Sequence, residues 1–224
     1  MAIELNVDGE LVRAEVERVI NAGYSGRDQE SVQEHINELA EEGLEPPERV
    51  PISFELAPYT TLVDPGTVTV VGGNTSGEAE YGLLVAGGET YIVAASDQTD
   101  RALESQGIQL SKQIAPNVLS RRAWRLADVR DRWDDIEIRA WNTRDGERLV
   151  YQDATLGEIL PPEDILELIR ERYGGPLDGT LVLSGMVPTV SGELKPGERF
   201  EVELRDPADG RSIGMTYDVR TVEE

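Results

Sequence analysis

Cysteine is absent from the 224-residue chain, and histidine occurs once, at His35. The first absence excludes disulfides, thiolate nucleophiles, cysteine-held zinc and cysteine-ligated iron–sulfur clusters. The second excludes a zinc site built from several imidazoles of one chain. Lysine is nearly missing too: Lys112 and Lys195 are two of the 21 basic residues, leaving 19 arginines. No apolar run approaches the ~20 residues that span a bilayer. The first ten residues carry Glu4 and Asp8 and lack a basic-then-apolar signal pattern, so a cytoplasmic location is expected.

What is abundant is acid. Forty-four Asp and Glu give a formal net charge of -23, yet 39% of residues are hydrophobic, enough to form a core. Such a surface repels phosphate backbones and anionic headgroups, so neither nucleic acid nor membrane is expected as a partner. Acid-rich and lysine-poor composition suits a salt-filled cytoplasm, because screening relieves self-repulsion. A halophilic protein is expected.

Local patterns give the elements. Residues 3–7 and 11–16 flank Asp8-Gly9, the mark of a type I′ hairpin. Residues 28–42 carry Val32, Ile36 and Leu39 at helical spacing, with Asp28 as N-cap and Gly43 as stop. Strands are expected near 52–56 and 67–71. Two further hairpins turn at Gly87-Gly88 and Asp145-Gly146. Thr155-x-x-Glu158 reads as a capping box, and residues 162–173 as a helix ending at Gly174. Strands over 180–184, 199–204 and 212–219 follow. Paired strands with scattered helices, lacking a regular crossover pattern, indicate an α+β fold with largely antiparallel sheet. No repeat or linker divides the chain, so 1–224 is expected to be one domain.

Few residues combine into chemistry. Glu38 follows His35 by three positions, so a helix places both on one face, where a carboxylate raises imidazole basicity. A surface helix in so acidic a chain yields the same pair by composition alone. Glu78 and Glu80 alternate onto one strand face, and an all-oxygen set suits Mg²⁺ or Mn²⁺. Glu15/Glu17 and Glu201/Glu203 share that spacing, so a third ligand is required. Asp97, at the end of the returning strand, is the best local candidate. Lys112 stands out in a chain that otherwise uses arginine, since lysine is a compact charge able to exchange its proton. Gly210-x-Ser212-x-Gly214 fits a turn into the last strand better than a nucleophile elbow, because no histidine follows it. Trp124, Trp133 and Trp141 read as core or interface anchors, and Arg121, Arg122 and Arg125 as partners of nearby acids.

In order along the chain these pieces resemble the fumarylacetoacetate hydrolase superfamily, nearest to a branch of uncharacterised function. His35-x-x-Glu38 is similar to its HxxE dyad, Glu78-Ala79-Glu80 to its ExE metal strand, and Asp97-Gln98-Thr99-Asp100-Arg101 to its NDxTxR segment. Lys112 in SKQIAP resembles the lysine that meets substrate. Ser184 to Thr189 resembles its substrate-binding turn, with GMVPT in place of the GTP type. The early GRNY and FxKP segments are altered to GYSGRD and FELAPY.

The resemblance implies a mixed β-roll or sandwich with a few short helices, its core over about 46–220 and the hairpin and helix over about 1–45 before it. It implies one Mg²⁺ or Mn²⁺ per subunit on Glu78, Glu80 and Asp97. His35 with Glu38 would activate water, Lys112 would balance substrate charge, and Arg101, Gly185 and Thr189 would contact substrate. The implied activity is hydrolysis or lysis of a small anionic oxo-carboxylate, acylpyruvase-like, through a metal-stabilised enolate, in a homodimer. Decarboxylation, hydration or isomerisation follows the same logic. A non-catalytic binding protein with an eroded substrate turn, or an enzyme without metal, stays open.

Overall fold

The computed structural model describes residues 1–41 and 46–222, with the side chains of residues 35, 38 and 39 outside that description. In chain order the elements are β1 (Ala2–Val7), β2 (Glu10–Glu15), β3 (Arg18–Gly23), α1 (Gln29–Glu41), β4 (Ile52–Leu56), β5 (Thr61–Val63), β6 (Gly66–Val71) and β7 (Thr75–Ser76). Then come β8 (Ala79–Ala86), β9 (Glu89–Asp97), β10 (Thr99–Asp100), α2 (Ile108–Gln113), β11 (Asn117–Arg125) and α3 (Leu126–Val129). The chain closes with β12 (Glu137–Arg144), β13 (Glu147–Thr155), α4 (Pro162–Tyr173), β14 (Thr180–Leu183), β15 (Arg199–Arg205) and β16 (Ser212–Val222). No described helix is long and apolar enough to cross a membrane.

The expected hairpins form. Asp8-Gly9, Gly87-Gly88 and Asp145-Gly146 have positive φ at both positions, as a type I′ turn demands. The helix over 28–42 begins as read: Asp28 Oδ1 accepts the N–H groups of Glu30 at 3.1 Å and Ser31 at 3.2 Å. Its stop at Gly43 lies outside the described residues. The capping box at Thr155 does not form, since residues 156–158 make a single 3₁₀ turn without a side-chain cap, whereas the helix read over 162–173 forms with those bounds as α4. Pro161 and Pro162 fix that start. Proline fixes the φ wanted at a helix start and has no N–H to leave unpaired.

Nine strands make the larger sheet, in the order β2-β1-β11-β9-β8-β14-β3-β4, with β5 also on β11. Five make the second, β13-β12-β15-β16-β6, and β7 pairs with β10 in a two-stranded sheet. Antiparallel pairs predominate, but β1–β11, β5–β11, β14–β3 and β16–β6 run parallel, so both larger sheets are mixed. The nine-stranded sheet is curled. Asn21 of β3 and Asn117 of β11 stand four strands apart in its order, yet their amides hydrogen-bond both ways at 3.0 and 2.9 Å.

Two apolar cores result, one on each face of the curled sheet. Between the sheets lie Tyr81, Ile92, Ala94, Trp124 and Val182 against Ile138, Phe200, Val202 and Tyr217. Tyr81 meets Trp133 edge-on, centroids 4.9 Å apart, worth about 0.5–1.5 kcal/mol beyond area burial. The hollow of the curl holds Leu5, Val19, Leu84, Val93, Ala95, Leu119 and Leu183. Alternation along β8 and β9 serves both: Tyr81 and Ala94 face one core, Leu84 and Ala95 the other.

Candidate metal centre

The same alternation places the acids. Asp97 follows Ala95 by two positions on β9, and Glu80 precedes Leu84 by four near the start of β8, so both point into the hollow where its apolar lining ends. Glu78 stands just before β8, tied to Asp97 by reciprocal backbone bonds of 3.1 Å. One oxygen each of Glu78, Glu80 and Asp97 fall within 4.8 Å of one another, and all three residues are buried. The expected third ligand is therefore beside the glutamate pair.

Each carboxylate is held from outside the cluster. Glu78 Oε1 takes a charge-assisted bond from Arg101 Nη1 at 2.8 Å, and Oε2 one from Lys112 Nζ at 3.2 Å. Lys112 also donates to Asp97 Oδ2. Glu80 Oε2 accepts the Gly185 N–H at 2.8 Å, whereas its Oε1 is buried with no partner among the described residues. An unpaired carboxylate oxygen in so dry a place is costly unless something cationic meets it.

The electrostatics follow. Burial works to raise the Glu78 pKa, but Lys112 and Arg101 outweigh it and hold the carboxyl below the usual range. Glu80 goes the other way: burial, then the charge of Asp97, push it well above the ordinary value, with Lys112 opposing. Lys112 is desolvated, yet Asp97, Glu78 and Glu80 together raise its pKa and keep it an ammonium. Three carboxyls against two cations leave the cluster short of positive charge, and an all-oxygen set of this kind fits a hard divalent ion such as Mg²⁺ or Mn²⁺.

Other expected site residues fall unevenly. Arg101 is turned to the protein: Nε donates to Ser76 Oγ at 2.8 Å, and Nη1 reaches Glu104 at 2.9 Å besides Glu78. It clamps Glu78 and has its donors largely taken. Gly185 meets the site through its N–H. Thr189 instead donates to the Glu193 carbonyl at 3.2 Å and bridges Gln152 of β13; its hydroxyl bonds to none of the three acids. His35 and Glu38 sit on α1, but their side chains lie outside the described residues.

The structure adds residues that spacing gave no reason to pick. Ser76 orients Arg101, and Thr99 lies 3.5 Å from Lys112 Nζ. Asn117 pairs with Asp97 across the β9–β11 ladder, and Thr61 with Asn117 across β5–β11, extending a polar row from the acids. Of these only Thr99 carried a signal, as the threonine of the NDxTxR-like segment.

A family model described as Protein of unknown function (DUF2848) matches residues 22–217, most of the chain. The chain belongs to that family. Solved structures show which fold this DUF2848 chain has. A fumarylacetoacetate hydrolase family protein from yeast superposes with TM-score 0.66 at 18% identity, covering 92% of this chain and 93% of its own. A 2-keto-3-deoxy-D-arabinonate dehydratase complexed with magnesium and 2,5-dioxopentanoate gives 0.64 at 15%, over 94% of this chain and 75% of its own. A 5-carboxymethyl-2-hydroxymuconate delta-isomerase from Mycobacterium smegmatis gives 0.61 at 17%, over 96% and 84%. No curated protein matches the chain in sequence. The fold of the DUF2848 chain is that of the fumarylacetoacetate hydrolase superfamily.

Proposed function

We propose that the chain is a divalent-cation-dependent enzyme acting on a small 2-oxo acid or 1,3-dicarbonyl carboxylate, with acylpyruvase-like hydrolysis of a C–C bond as its reaction. The observation that carries this reading is the buried Glu80 Oε1, without a partner among the described residues, in a carboxyl triad with one oxygen of each residue within 4.8 Å of the others. Glu78, Glu80 and Asp97 would hold Mg²⁺ or Mn²⁺. When bound, such an ion supplies Lewis acidity toward oxo and carboxylate oxygens.

The chain's own groups do the rest. Arg101 and Gly185 keep two ligand carboxyls in place, and a fixed carboxylate binds metal better than a mobile one. Lys112, at the edge of the triad, offsets negative charge on an incoming oxo acid. His35, with Glu38 three positions on along α1, takes the proton of the attacking water. The next residue, Ile36, is buried and lines a cleft together with Ile108, which opens α2 four positions before Lys112; that supports the reading. The dehydratase and isomerase among the structural neighbours favour a second reading, in which the same groups support dehydration or isomerisation of an oxo acid.

The test is calorimetry with Mn²⁺ followed by a turnover screen of acylpyruvates, oxaloacetate and 2-oxo-enoates. Glu80→Gln is expected to weaken Mn²⁺ binding at least ~100-fold, a loss larger than that of an outer-sphere partner. His35→Ala is expected to leave Mn²⁺ affinity intact and to remove turnover. Undiminished Mn²⁺ binding by Glu80→Gln, or full turnover by His35→Ala, overturns the corresponding assignment.

A further inference from the structure

β13 carries a bulge where it meets the Glu78-Ala79-Glu80 ribbon. Ala140 of β12 stands opposite Gln152, yet the next residue, Trp141, stands opposite Val150, so Tyr151 is an extra residue in the ladder. Such a bulge re-aims side chains. Tyr151 and Gln152 are both buried, although Val150 before them and Asp153 after them are exposed.

Gln152 is fully buried, and a primary amide in that state is costly unless both its ends are bonded. Backbone meets each end. Its Oε1 accepts the Ala79 N–H at 2.8 Å, and its Nε2 donates to the Val187 carbonyl at 2.6 Å. Ala79 stands between Glu78 and Glu80, on the edge of β8 past the last β14 pairing at Gly82. Val187 lies in the turn after β14, two residues beyond Gly185, whose N–H holds Glu80 Oε2.

These bonds close a ring that runs from Glu80 through Ala79, Gln152, Val187 and Gly185 back to Glu80. Among the described residues, no other side chain of the five-stranded sheet bonds the 78–80 ribbon. Tyr151 holds the far end of the turn: its carbonyl accepts the Val190 N–H at 2.9 Å, and its hydroxyl the Lys195 N–H at 2.9 Å.

We propose that Gln152 is a positioning residue of the carboxyl triad: by spanning Ala79 and Val187 it sets the interval between the glutamate ribbon and the turn, and so keeps Glu80 placed to meet a cation. This rests on the divalent-cation reading above and adds to it a residue from the second sheet. Gln152 acts through backbone and touches neither ion nor substrate. Loss of such a support typically weakens metal binding about 10–100-fold.

The experiment is Mn²⁺ calorimetry, with electron paramagnetic resonance of the bound ion, on the full chain and three variants. Gln152→Met keeps the length of the side chain and loses both bonds. Gln152→Asn keeps the amide but is one methylene too short to span them. Asn142→Leu is the control, because Asn142 is buried on neighbouring β12 and donates to the Lys195 carbonyl at 2.9 Å, away from the ribbon. Gln152→Met is expected to bind Mn²⁺ at least ~10-fold more weakly and to alter the resonance of the bound ion, and Gln152→Asn to bind at least ~3-fold more weakly. Asn142→Leu is expected to lower the melting temperature comparably while its Mn²⁺ affinity stays within about twofold of the parent's. In the parent, Mn²⁺ is expected to slow amide exchange at Val190 at least ~5-fold, since the ring passes the grip on the ion to the turn. That readout needs no variant to fold. Parent-like affinity in both Gln152 variants, an equal loss in Asn142→Leu, or unchanged exchange at Val190 overturns this proposal and leaves the divalent-cation reading standing. A parent that binds no Mn²⁺ overturns that reading and this inference with it.

Discussion

Gly185 does two jobs with one residue. Its N–H fixes Glu80 Oε2, and its φ of +87° strains any side chain. A Cβ there would overlap Ser25 Oγ and lie 3.2 Å from the Ala22 carbonyl. Ser25 cannot yield easily, because its hydroxyl is buried and bonded to the Ser184 carbonyl. Gly185→Ala is therefore expected to cost about 1–3 kcal/mol in denaturant melts and to weaken Mn²⁺ binding, since Glu80 loses its anchor. Unchanged Mn²⁺ affinity at normal stability would show the N–H to be dispensable. This scale also shows what spacing alone leaves open. Glu15/Glu17 and Glu201/Glu203 repeat the Glu78/Glu80 interval, but Glu15 and Glu17 are exposed and Glu201 pairs with Arg148 on the outer face of the second sheet. Only tertiary burial separates the pairs. The lysine scarcity was the better guide: Lys195 pairs with Glu193 at the surface, while Lys112 sits among the acids.

Among the elements, hairpins were the most legible, because two-residue turns with positive φ accept few residue types and Asp-Gly and Gly-Gly announce them. Parallel pairings such as β14 on β3 were not, since the partners lie far apart in sequence and nothing local records the contact. The start of α1 was legible through Asp28, and it makes a pH prediction. Hydrogen bonds from Ser31, then from Glu30, hold the Asp28 carboxyl below its usual 3.8, opposed by slight desolvation. A lowered folded value means that the ionised form is favoured by folding. The contribution is therefore complete above 3.8 and lost as pH falls through the folded value. Amide exchange in the first turn of α1 is expected to quicken over that acid range, and to be quick already near neutrality in Asp28→Ala. Equal exchange in the variant and the parent near neutrality would remove Asp28 from the cap. The Thr155 box failed for an equally local reason, since consecutive prolines fix where α4 begins.

For the whole molecule the governing quantity is charge. With 44 acids against 21 bases, repulsion opposes the compact state, and salt screens it over a Debye length of about 10 Å at 0.1 M and 3 Å at 1 M. Surface pairs such as Arg13–Glu4 and Arg170–Glu167 lose strength in salt as well, but exposed pairs contribute little, so relief of repulsion wins. Thermal melts are expected to show Tm rising by ~5 °C or more from low salt to molar KCl, equivalent to about 1–2 kcal/mol for a chain this long. A flat or falling Tm contradicts the expected halophilic character.

The β8–β9 hairpin is a party wall. Tyr81 and Ala94 belong to the room on one side, Leu84 and Ala95 to the room on the other, and Glu80 and Asp97 are mounted in the same masonry. Neither room can be refurnished without moving the acids, and a shift of half an ångström there is the difference between a grip and a near miss. Attempts to harden this protein should leave the wall alone and work from the solvent side of β12 and β13, where Trp141 lies under the Arg148 guanidinium, outside both cores.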